Sequence, residues 1–229
     1  MTGNERSEDD RSVDSLPVRR PEEFPERVVR PDATVHGVVL AAGTSTRYGS
    51  ANKLMESLDG RPLVRHAVDT LVESNVDEVT VVVGYEAARV RKAVAAVPVE
   101  TVENPRYEEG LGTSVRLGVS AAADRNADAV LLALGDMPWI DDSSIDLLID
   151  AYVRGVGVAM AAAYRGRRGN PVLFDSRFFD ALTVAHEGGD VGGRELLSRE
   201  HGALAIETGD FGVVRDVDRT SDLERDGRY

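Results

Sequence analysis

The chain has 229 residues, of which 40 are acidic and 27 basic, and its formal net charge is −13. This charge argues against nucleic-acid binding, which requires Lys and Arg to neutralise phosphates. Cysteine is absent, which excludes disulfides, thiolate metal sites and thiol nucleophiles. No apolar run reaches the length that a bilayer crossing needs and no signal-peptide core is present, so we expect a cytoplasmic protein without membrane partners. The acidic excess with few Lys is typical of a salt-adapted, halophile-like cytoplasm.

The size fits one α/β domain rather than two, with a charged segment at each end. Residues 1–33 are charged, interrupted by Pro and nearly free of large apolar side chains. Such a segment cannot bury enough surface to offset the entropy of ordering, which predicts a flexible tail; a docking arm is the alternative. We expect a single domain over residues 34–224 and a short tail over residues 225–229.

Strand and helix patterns alternate through this domain. Strands are predicted at residues 35–40, 79–83, 98–102, 129–134, 158–163 and 171–174. Helices are predicted over residues 62–72, 87–97 and 113–123, and after a cap at Ser143 or Ser144. This order predicts an α/β fold with three α/β/α layers around a mainly parallel, twisted sheet. Such sheets bind ligands at the carboxyl ends of their strands.

Small and cationic residues dominate the segment that follows the first predicted strand, residues 40–53. Gly43 and Gly49 allow turns and a close backbone approach, while Arg47 and Lys53 supply cations for a polyphosphate. The spacing fits neither a Walker A loop nor a dinucleotide-binding fingerprint. The segment is therefore either a phosphate-binding turn of another kind or an ordinary turn between a strand and a helix.

A carboxylate follows the apolar strand at residues 129–134. Asp136 stands in the sequence Gly-Asp-Met-Pro, which places it at the carboxyl end of that strand, inside the predicted ligand crevice. Mg²⁺ prefers one or two carboxylates together with substrate phosphate oxygens. Asp136 is therefore either a metal ligand or the first residue of a turn, a position that Asp often takes.

A second group of carboxylates lies near the C-terminus, at residues 216–223. Asp216 and Asp218 share one face if the chain is extended there, and one of them is a candidate second metal ligand. The alternative is an acidic surface turn in which Ser221 or Asp222 caps a short helix.

A basic stretch interrupts the acidic sequence at residues 164–171, which contain Arg165, Arg167 and Arg168. Arg binds phosphate through two parallel hydrogen bonds and stacks on flat rings. Composition by itself favours a solvated hairpin tip, and a binding loop is the alternative.

Taken together, these segments resemble the nucleotidyltransferases with the glycosyltransferase-A-like fold, and more narrowly the molybdenum cofactor cytidylyltransferases. The matching stretches are LAAGTSTRYGSANK at residues 40–53, Asn104-Pro105 with Gly110, Gly112 and Ser114, and residues 135–138, 166–172, 189–194 and 216–223. They occur in the family's order over roughly residues 35–223. The sequence departs from the pattern at Arg219, which displaces the register of the last stretch and leaves the choice between Asp216 and Asp218 open.

The resemblance implies a role for each matching stretch. Nucleotide binding is implied for Leu40, Ala41, Ala42, Gly43, Arg47, Lys53, Asn104, Gly112, Thr113, Ser114 and Asp136. Lys53, Arg47 and Asp136 are the implied catalytic residues, and Asp136 with Asp218 would bind Mg²⁺ or Mn²⁺. Acceptor binding is implied for Arg168, Gly169, Asn170, Pro171, Asp190, Gly193 and Arg194.

The implied reaction is transfer of CMP from CTP to molybdopterin, already loaded with molybdenum, with release of pyrophosphate. A molybdoenzyme would then receive the product. Guanylyl transfer to the same cofactor and nucleotidyl transfer to a sugar phosphate are alternatives within the same fold. A nucleotide-binding chaperone for a molybdoenzyme, without catalysis, is the alternative from another class of protein.

Overall fold

The computed structural model describes residues 16–45, 52–184, 196–197, 200, 202–219 and 221–224. The strands are β1 (Val18–Arg19), β2 (Val35–Ala41), β3 (Ser57–Leu58), β4 (Arg61–Pro62), β5 (Glu78–Val83), β6 (Glu100–Glu103), β7 (Ala129–Leu134), β8 (Ala159–Tyr164), β9 (Arg167–Asp175) and β10 (Leu204–Glu207). The helices are α1 (Leu63–Glu73), α2 (Ala87–Val94), α3 (Leu111–Asp124), α4 (Asp142–Val153) and α5 (Phe179–Thr183), followed by a single helical turn at Ser221–Glu224. Within these ranges, no helix has the length and apolar character that a membrane crossing requires.

Eight of these strands form one sheet in the order β1-β10-β8-β9-β7-β2-β5-β6. All neighbours in it pair in parallel except β9, which runs antiparallel to both β7 and β8. The predicted mainly parallel sheet is therefore confirmed. The two central strands β2 and β7 are buried along almost their whole length, as expected for strands covered on both faces.

Helices cover both faces of the sheet and create two apolar cores. Side chains of α1, α2 and α4 pack on one face, where Val64, Val90 and Leu148 are fully buried. Side chains of α3 and α5, including Val119 and Phe179, pack on the other face. Each fully buried Val, Leu or Phe side chain contributes about 1.5–3 kcal/mol. The three-layer α/β/α prediction is confirmed.

The start of α4 differs from the prediction of a cap at Ser143 or Ser144. The helix begins at Asp142, and both serines lie inside it. The carboxylate of Asp210, far along the chain, accepts hydrogen bonds from Asp141 N at 2.9 Å and from Ser144 Oγ at 2.9 Å. A tertiary contact to the N-cap residue Asp141 and to Ser144 therefore holds the start of this helix, instead of a cap formed by either serine.

The segment before β2 also differs from the predicted flexible tail over residues 1–33, of which residues 1–15 lie outside the described ranges. β1 pairs with β10 at the edge of the sheet. Arg30 donates from Nη1 to Tyr152 O at 2.7 Å, and its guanidinium lies 4.7 Å from the centre of the Tyr152 ring. Arg154 Nη1 donates to Pro25 O and Glu26 O. Residues 16–33 are held by backbone and Arg contacts, which a rule based on apolar burial misses, and we propose that the domain includes them.

A buried tyrosine connects α4 to the sheet. Tyr152 Oη lies 2.9 Å from Asp128 O and 3.0 Å from Asp175 Oδ2, so its single proton is shared between these two acceptors, and Arg177 Nε donates to Asp175 Oδ1 at 2.8 Å. Burial alone raises the pKa of Asp175, but the hydrogen bonds from Arg177 and Tyr152 outweigh it, and the pKa is lowered. Ionised Asp175 therefore stabilises the fold above its unfolded-state pKa, and this contribution is lost as the pH falls through the folded-state pKa.

Replacing Tyr152 with Phe is expected to lower the free energy of unfolding by about 1–2 kcal/mol, because the Asp175 carboxylate loses a donor. Urea denaturation measures the change, and it should be smaller in acid than at neutral pH. Tyr164→Phe is the matched control, because that ring is half-buried at the end of β8 and packs on Phe211. Equal stability of Tyr152→Phe and wild type at neutral pH would show that this network contributes nothing.

Candidate functional site

A cavity of about 600 Å³ opens where the carboxyl ends of β2 and β7 lie side by side. The loop after β2, the start of α3 and the chain after β7 all reach this edge of the sheet. The cavity walls include Leu40, Gly43, Lys53, Ser114, Asp136 and Asp218. Residues that are far apart in the sequence therefore meet at the strand edge where ligands bind to α/β sheets.

A lysine and two neighbouring carboxylates line this cavity. Lys53 Nζ lies 2.5 Å from Asp136 Oδ2 and 3.8 Å from Asp218 Oδ1. The side chains of Lys53 and Asp136 are each 17% exposed, whereas that of Asp218 is 49% exposed. The Lys53–Asp136 pair is thus largely shielded from water, and Asp218 faces the opening. Partial burial makes these charges interact more strongly than exposed charges do.

Backbone hydrogen bonds fix the three segments that carry these side chains. Lys53 N donates to Ser45 Oγ at 3.2 Å, and Lys53 Nζ donates to Val217 O at 3.1 Å. Val217 N in turn donates to Asp136 O at 3.0 Å. Val217 is fully buried and separates the side chains of Asp216 and Asp218. The chain after β7 and the late acidic segment are therefore joined directly behind the charged groups.

The two carboxylates next to Val217, Asp216 and Asp218, line different cavities. Asp218 lines the first cavity together with Asp136, and Asp216 lines a neighbouring cavity. Burial raises the pKa of Asp216, and repulsion from Asp218 and Asp136 raises it further, while Lys53 opposes this effect. The three carboxylates therefore repel one another, and a cation beside Lys53 would relieve this repulsion.

The donor set fits a hard divalent cation. Asp136 and Asp218 offer carboxylate oxygens within 3.8 Å of one ammonium group. In the described ranges, no cluster of three or more acidic, His or Cys side chains forms a complete metal site. Mg²⁺ is commonly held by one or two carboxylates plus substrate phosphates, which is the type of site that these two residues can provide.

The predicted nucleotide residues near α3 divide into two groups. Ser114 lines the cavity. Asn104, which is 1% exposed, instead donates from Nδ2 to Thr113 Oγ1 and to Ser114 Oγ, both at 2.9 Å. Thr113 Oγ1 donates to Gly110 O. The side chains of Asn104 and Thr113 therefore stabilise the first turn of α3 and the residues just before it. Gly112 lies in this first turn.

The predicted residues at the end of β2 and directly after it form another part of the cavity wall. Leu40, Ala42 and Gly43 line the cavity. Ala41 is the last residue of β2 and is 1% exposed, so its side chain faces the core. Arg47 lies outside the described residues.

A second cavity of about 410 Å³ adjoins the first and shares Leu40, Leu111 and Leu134 with it. It contains Arg168, Gly169 and Asn170, three of the residues predicted to bind an acceptor, and also Arg167 and Asp216. Met137, Val172 and Leu197 give it apolar walls. Pro171 follows Asn170 in β9, and their peptide bond is cis. Asp190, Gly193 and Arg194 lie outside the described residues.

The basic stretch belongs to a strand rather than to a loop. β9 begins at Arg167 and pairs with β8 through Ala163–Arg168 and Tyr164–Arg167, so only Arg165 and Gly166 remain for the turn. Both bond through their backbone N–H groups to the carboxylate of Glu207. Strand pairing explains the difference, because it depends on partners that the local sequence does not reveal.

The predicted site residues do not include Ser45, Tyr107, Val217 or Arg167. Ser45 and Tyr107 line the first cavity and Arg167 the second, while Val217 O binds Lys53 Nζ. The apolar residue between Asp216 and Asp218 was the available signal for Val217, because alternation in an extended segment points it inward. Ser45 lies in the small-residue loop, and nothing local distinguished Tyr107.

Gly169, predicted to contact the acceptor, also allows close packing of β9. A Cβ atom at this position would lie 1.9 Å from Val213 O, so β9 can approach the 3₁₀ segment Phe211–Val214 only without a side chain. Gly169→Ala is expected to lower the free energy of unfolding by about 2–3 kcal/mol through overpacking. Thermal and urea denaturation measure this.

Gly202→Ala is the matched control for Gly169→Ala. A Cβ at Gly202 would meet only the Glu200 carboxylate at 3.6 Å, an ordinary contact distance. Unchanged stability of Gly169→Ala, equal to that of the control, would mean that the close approach is not required.

Comparisons with known proteins identify the family. Residues 37–204 match the MobA-like NTP transferase domain. A nicotine blue oxidoreductase from Paenarthrobacter nicotinovorans is 30% identical over 199 residues, which cover 83% of this chain and 95% of that protein. The bifunctional protein GlmU of Sinorhizobium fredii is 30% identical over 196 residues. These residues cover 85% of this chain but only 36% of GlmU.

Solved structures agree with this assignment. Rv0371c from Mycobacterium tuberculosis H37Rv superimposes with a TM-score of 0.70 at 27% identity, over 84% of this chain and 97% of that one. The Rv0371c complex with manganese superimposes with a TM-score of 0.67 at 26% identity, over 84% of this chain and 97% of that one. The resemblance seen in the sequence is confirmed at the level of the family. The chain belongs to the MobA-like NTP transferase family and is a nucleotidyltransferase with the glycosyltransferase-A-like fold.

Proposed function

We propose that the enzyme transfers CMP from CTP to a molybdenum-loaded molybdopterin and releases pyrophosphate, with Mg²⁺ as the required ion. The proposal rests on the ammonium group of Lys53, which lies within 3.8 Å of carboxylate oxygens of both Asp136 and Asp218 in the wall of the first cavity. A cation next to two carboxylates suits a triphosphate with its metal ion, because it offers both a direct phosphate ligand and metal ligands.

In this proposal Lys53 binds the triphosphate, with Arg47 as a second cation. Asp136 and Asp218 would hold the metal ion. This ion would neutralise the negative charge that develops on the phosphate oxygens during the transfer. Ser114 and the start of α3 hold the nucleoside, and their position is fixed by Asn104. The protein's work is mainly alignment and electrostatic stabilisation, which is how enzymes accelerate such transfers.

The transfer itself needs no strong general base. An oxygen of the acceptor's terminal phosphate attacks the α-phosphorus of CTP, and the bond from that phosphorus to the oxygen bridging to the β-phosphate breaks. Pyrophosphate leaves with the electron pair of this bond. Because the attacking phosphate is already anionic, the scarcity of His and the absence of Cys do not hinder this chemistry.

The neighbouring cavity is the proposed acceptor site. Arg167 and Arg168 offer cations for a terminal phosphate, and Met137 and Val172 offer apolar surface for a flat heterocycle. The two cavities share walls, so an acceptor phosphate can approach the nucleotide. Asp190, Gly193 and Arg194 are proposed for the same side on the basis of the family resemblance, and the product would pass to a molybdoenzyme in the cytoplasm.

The choice of CTP rests on the sequence Ala41-Ala42-Gly43, which resembles cytidylyl rather than guanylyl enzymes. Transfer from GTP to the same acceptor, and transfer to a sugar phosphate, keep the same phosphate site. The name of the Paenarthrobacter relative adds an oxidoreductase as a second candidate, since that protein matches 83% of this chain. A chaperone that binds nucleotide without catalysis would use the same cavity.

One experiment separates the nucleotide donors and tests transfer to this acceptor. The full chain with Mg²⁺ and molybdopterin, with and without molybdenum, is given CTP, GTP, ATP or UTP, and pyrophosphate is measured. We expect release with CTP above the other nucleotides. Release only with GTP would contradict the cytidylyl assignment, and release with none would contradict transfer to this acceptor. Reduction of nicotine blue, with NADH or NADPH supplied as the reductant, tests the oxidoreductase.

A further inference from the structure

The carboxylate of Asp222 contacts the backbone of Asp218, the proposed second metal ligand. Its Oδ2 atom accepts hydrogen bonds from Asp218 N at 3.0 Å and from Arg219 N at 2.7 Å. Both bonds end on the same oxygen atom. The side chain therefore clamps the backbone of Asp218 from the helical turn Ser221–Glu224.

Arg215 connects the same turn to the loop that contains Asp136. Its guanidinium carbon lies 3.6 Å from the centre of the Trp139 ring, and its Nη2 donates to Asp222 O at 3.1 Å. Trp139 comes three residues after Asp136. A planar guanidinium can stack on an aromatic ring and donate hydrogen bonds at its edge at the same time, which an ammonium group cannot do.

These contacts give Asp136 and Asp218 two connections. The direct connection is the hydrogen bond from Val217 N to Asp136 O. The second runs from Trp139 through Arg215 to Asp222 and back to the Asp218 backbone. The Asp218 side chain is 49% exposed, so the position of its carboxylate depends mainly on how the backbone beneath it is held.

We propose that Asp222 and Arg215 are positioning residues that set the separation of Asp136 and Asp218 and thereby the affinity for the divalent cation. This inference rests on the proposed function, because it takes these two carboxylates as the metal ligands. Neither side chain lines the first or the second cavity, so both act through Asp218 rather than on the substrate. Partners of metal ligands commonly control affinity in this way.

The hydrogen-bond pattern distinguishes positioning from a simple effect of charge. Because both bonds end on one oxygen of Asp222, the amide oxygen of Asn can replace it. Asp222→Asn should therefore keep the clamp, and Asp222→Ala should lose it. A role through the negative charge alone predicts that both variants behave alike.

The test measures Mn²⁺ binding to the full chain by electron paramagnetic resonance, together with the Mg²⁺ concentration that half-activates pyrophosphate release. We expect Asp222→Ala to weaken both by about tenfold, with the turnover at saturating Mg²⁺ little changed. Asp222→Asn should stay close to wild type. Arg215→Lys keeps the charge but not the stacking, and should shift both values in the same direction as Asp222→Ala.

Asp69→Ala is the matched control, because Asp69 also accepts hydrogen bonds from two partners, Arg61 and Arg65, but lies on α1 away from both cavities. Thermal denaturation of every variant separates loss of metal from loss of fold. Wild-type values for Asp222→Ala and Arg215→Lys would overturn the inference, and so would equal weakening in Asp222→Asn and Asp222→Ala. A wild-type chain that neither binds Mn²⁺ nor transfers nucleotide would overturn the proposed function, and this inference with it.

Discussion

Replacing Asp136 with Ala is expected to lower the rate of pyrophosphate release about a thousandfold, the upper range for loss of one electrostatic group in an active site. Asp136 Oδ2 lies 2.5 Å from Lys53 Nζ, so the change removes the proposed metal ligand and the partner that orients the lysine. Mn²⁺ binding should weaken in parallel. Steady-state kinetics with CTP and the acceptor measure the rate.

The control for Asp136→Ala is Asp124→Ala, which removes one negative charge from an exposed position at the end of α3. The control should keep full activity, and circular dichroism should show an intact fold in both variants. Near-normal activity of Asp136→Ala would mean that the metal assignment is wrong.

Replacing Lys53 with Met is expected to lower the rate of transfer by about a hundredfold to a thousandfold. Unlike Asp136→Ala, this change should not weaken metal binding. Lys53 Nζ lies within 3.8 Å of both Asp136 and Asp218, so its charge competes with a divalent cation for these carboxylates. The variant should therefore bind Mn²⁺ at least as tightly as wild type while it transfers poorly. Lys53→Arg should not restore the rate, because a guanidinium has a different shape and reach.

Lys92→Met serves as the control, because Lys92 is exposed on α2 and lines neither cavity. Weakened Mn²⁺ binding in Lys53→Met would show that the lysine organises the carboxylates rather than competing for them. An unchanged rate would remove Lys53 from the catalytic residues.

Most of the central sheet was predictable, because its strands are encoded in local apolar patterns. The run at residues 129–134 coincides with β7, and residues 35–40 fall within β2. The segment at residues 16–33 was not predictable in this way. It is held by pairing of β1 with β10 and by hydrogen bonds from Arg154, and such contacts depend on chain segments that are distant in sequence.

The meeting of Lys53 and Asp136 followed from topology, since they come after β2 and β7, whose carboxyl ends lie at the same edge of the sheet. Asp218 follows the 3₁₀ segment Phe211–Val214 rather than a strand, and its choice over Asp216 came from the family resemblance. The structural arrangement of Lys53, Asp136 and Asp218 agrees with the roles that the family resemblance implies, and those roles remain proposals. The structural roles of Asn104 and Gly169 could not be predicted from the local sequence. Asn104 bonds Ser114, ten positions later, and Gly169 meets the backbone of Val213, so both depend on tertiary neighbours.

The local cations also explain how a chain with a net charge of −13 can bind anions. Arg167 and Arg168 line one cavity and Lys53 the other. Charges at close range in a partly shielded site outweigh a distant, screened field of opposite effect. Substrate capture should therefore depend on the site itself rather than on long-range attraction.

Transfer of the nucleotidyl group at this site can be followed through the fate of the individual CTP phosphates. CTP carrying radioactive phosphate in either the α or the γ position is incubated with the full chain, Mg²⁺ and molybdopterin, and the products are separated. We expect the α label to appear in the acceptor and the γ label in pyrophosphate. Transfer of the γ label to the acceptor, or no label in the acceptor from either CTP, would contradict nucleotidyl transfer at this site.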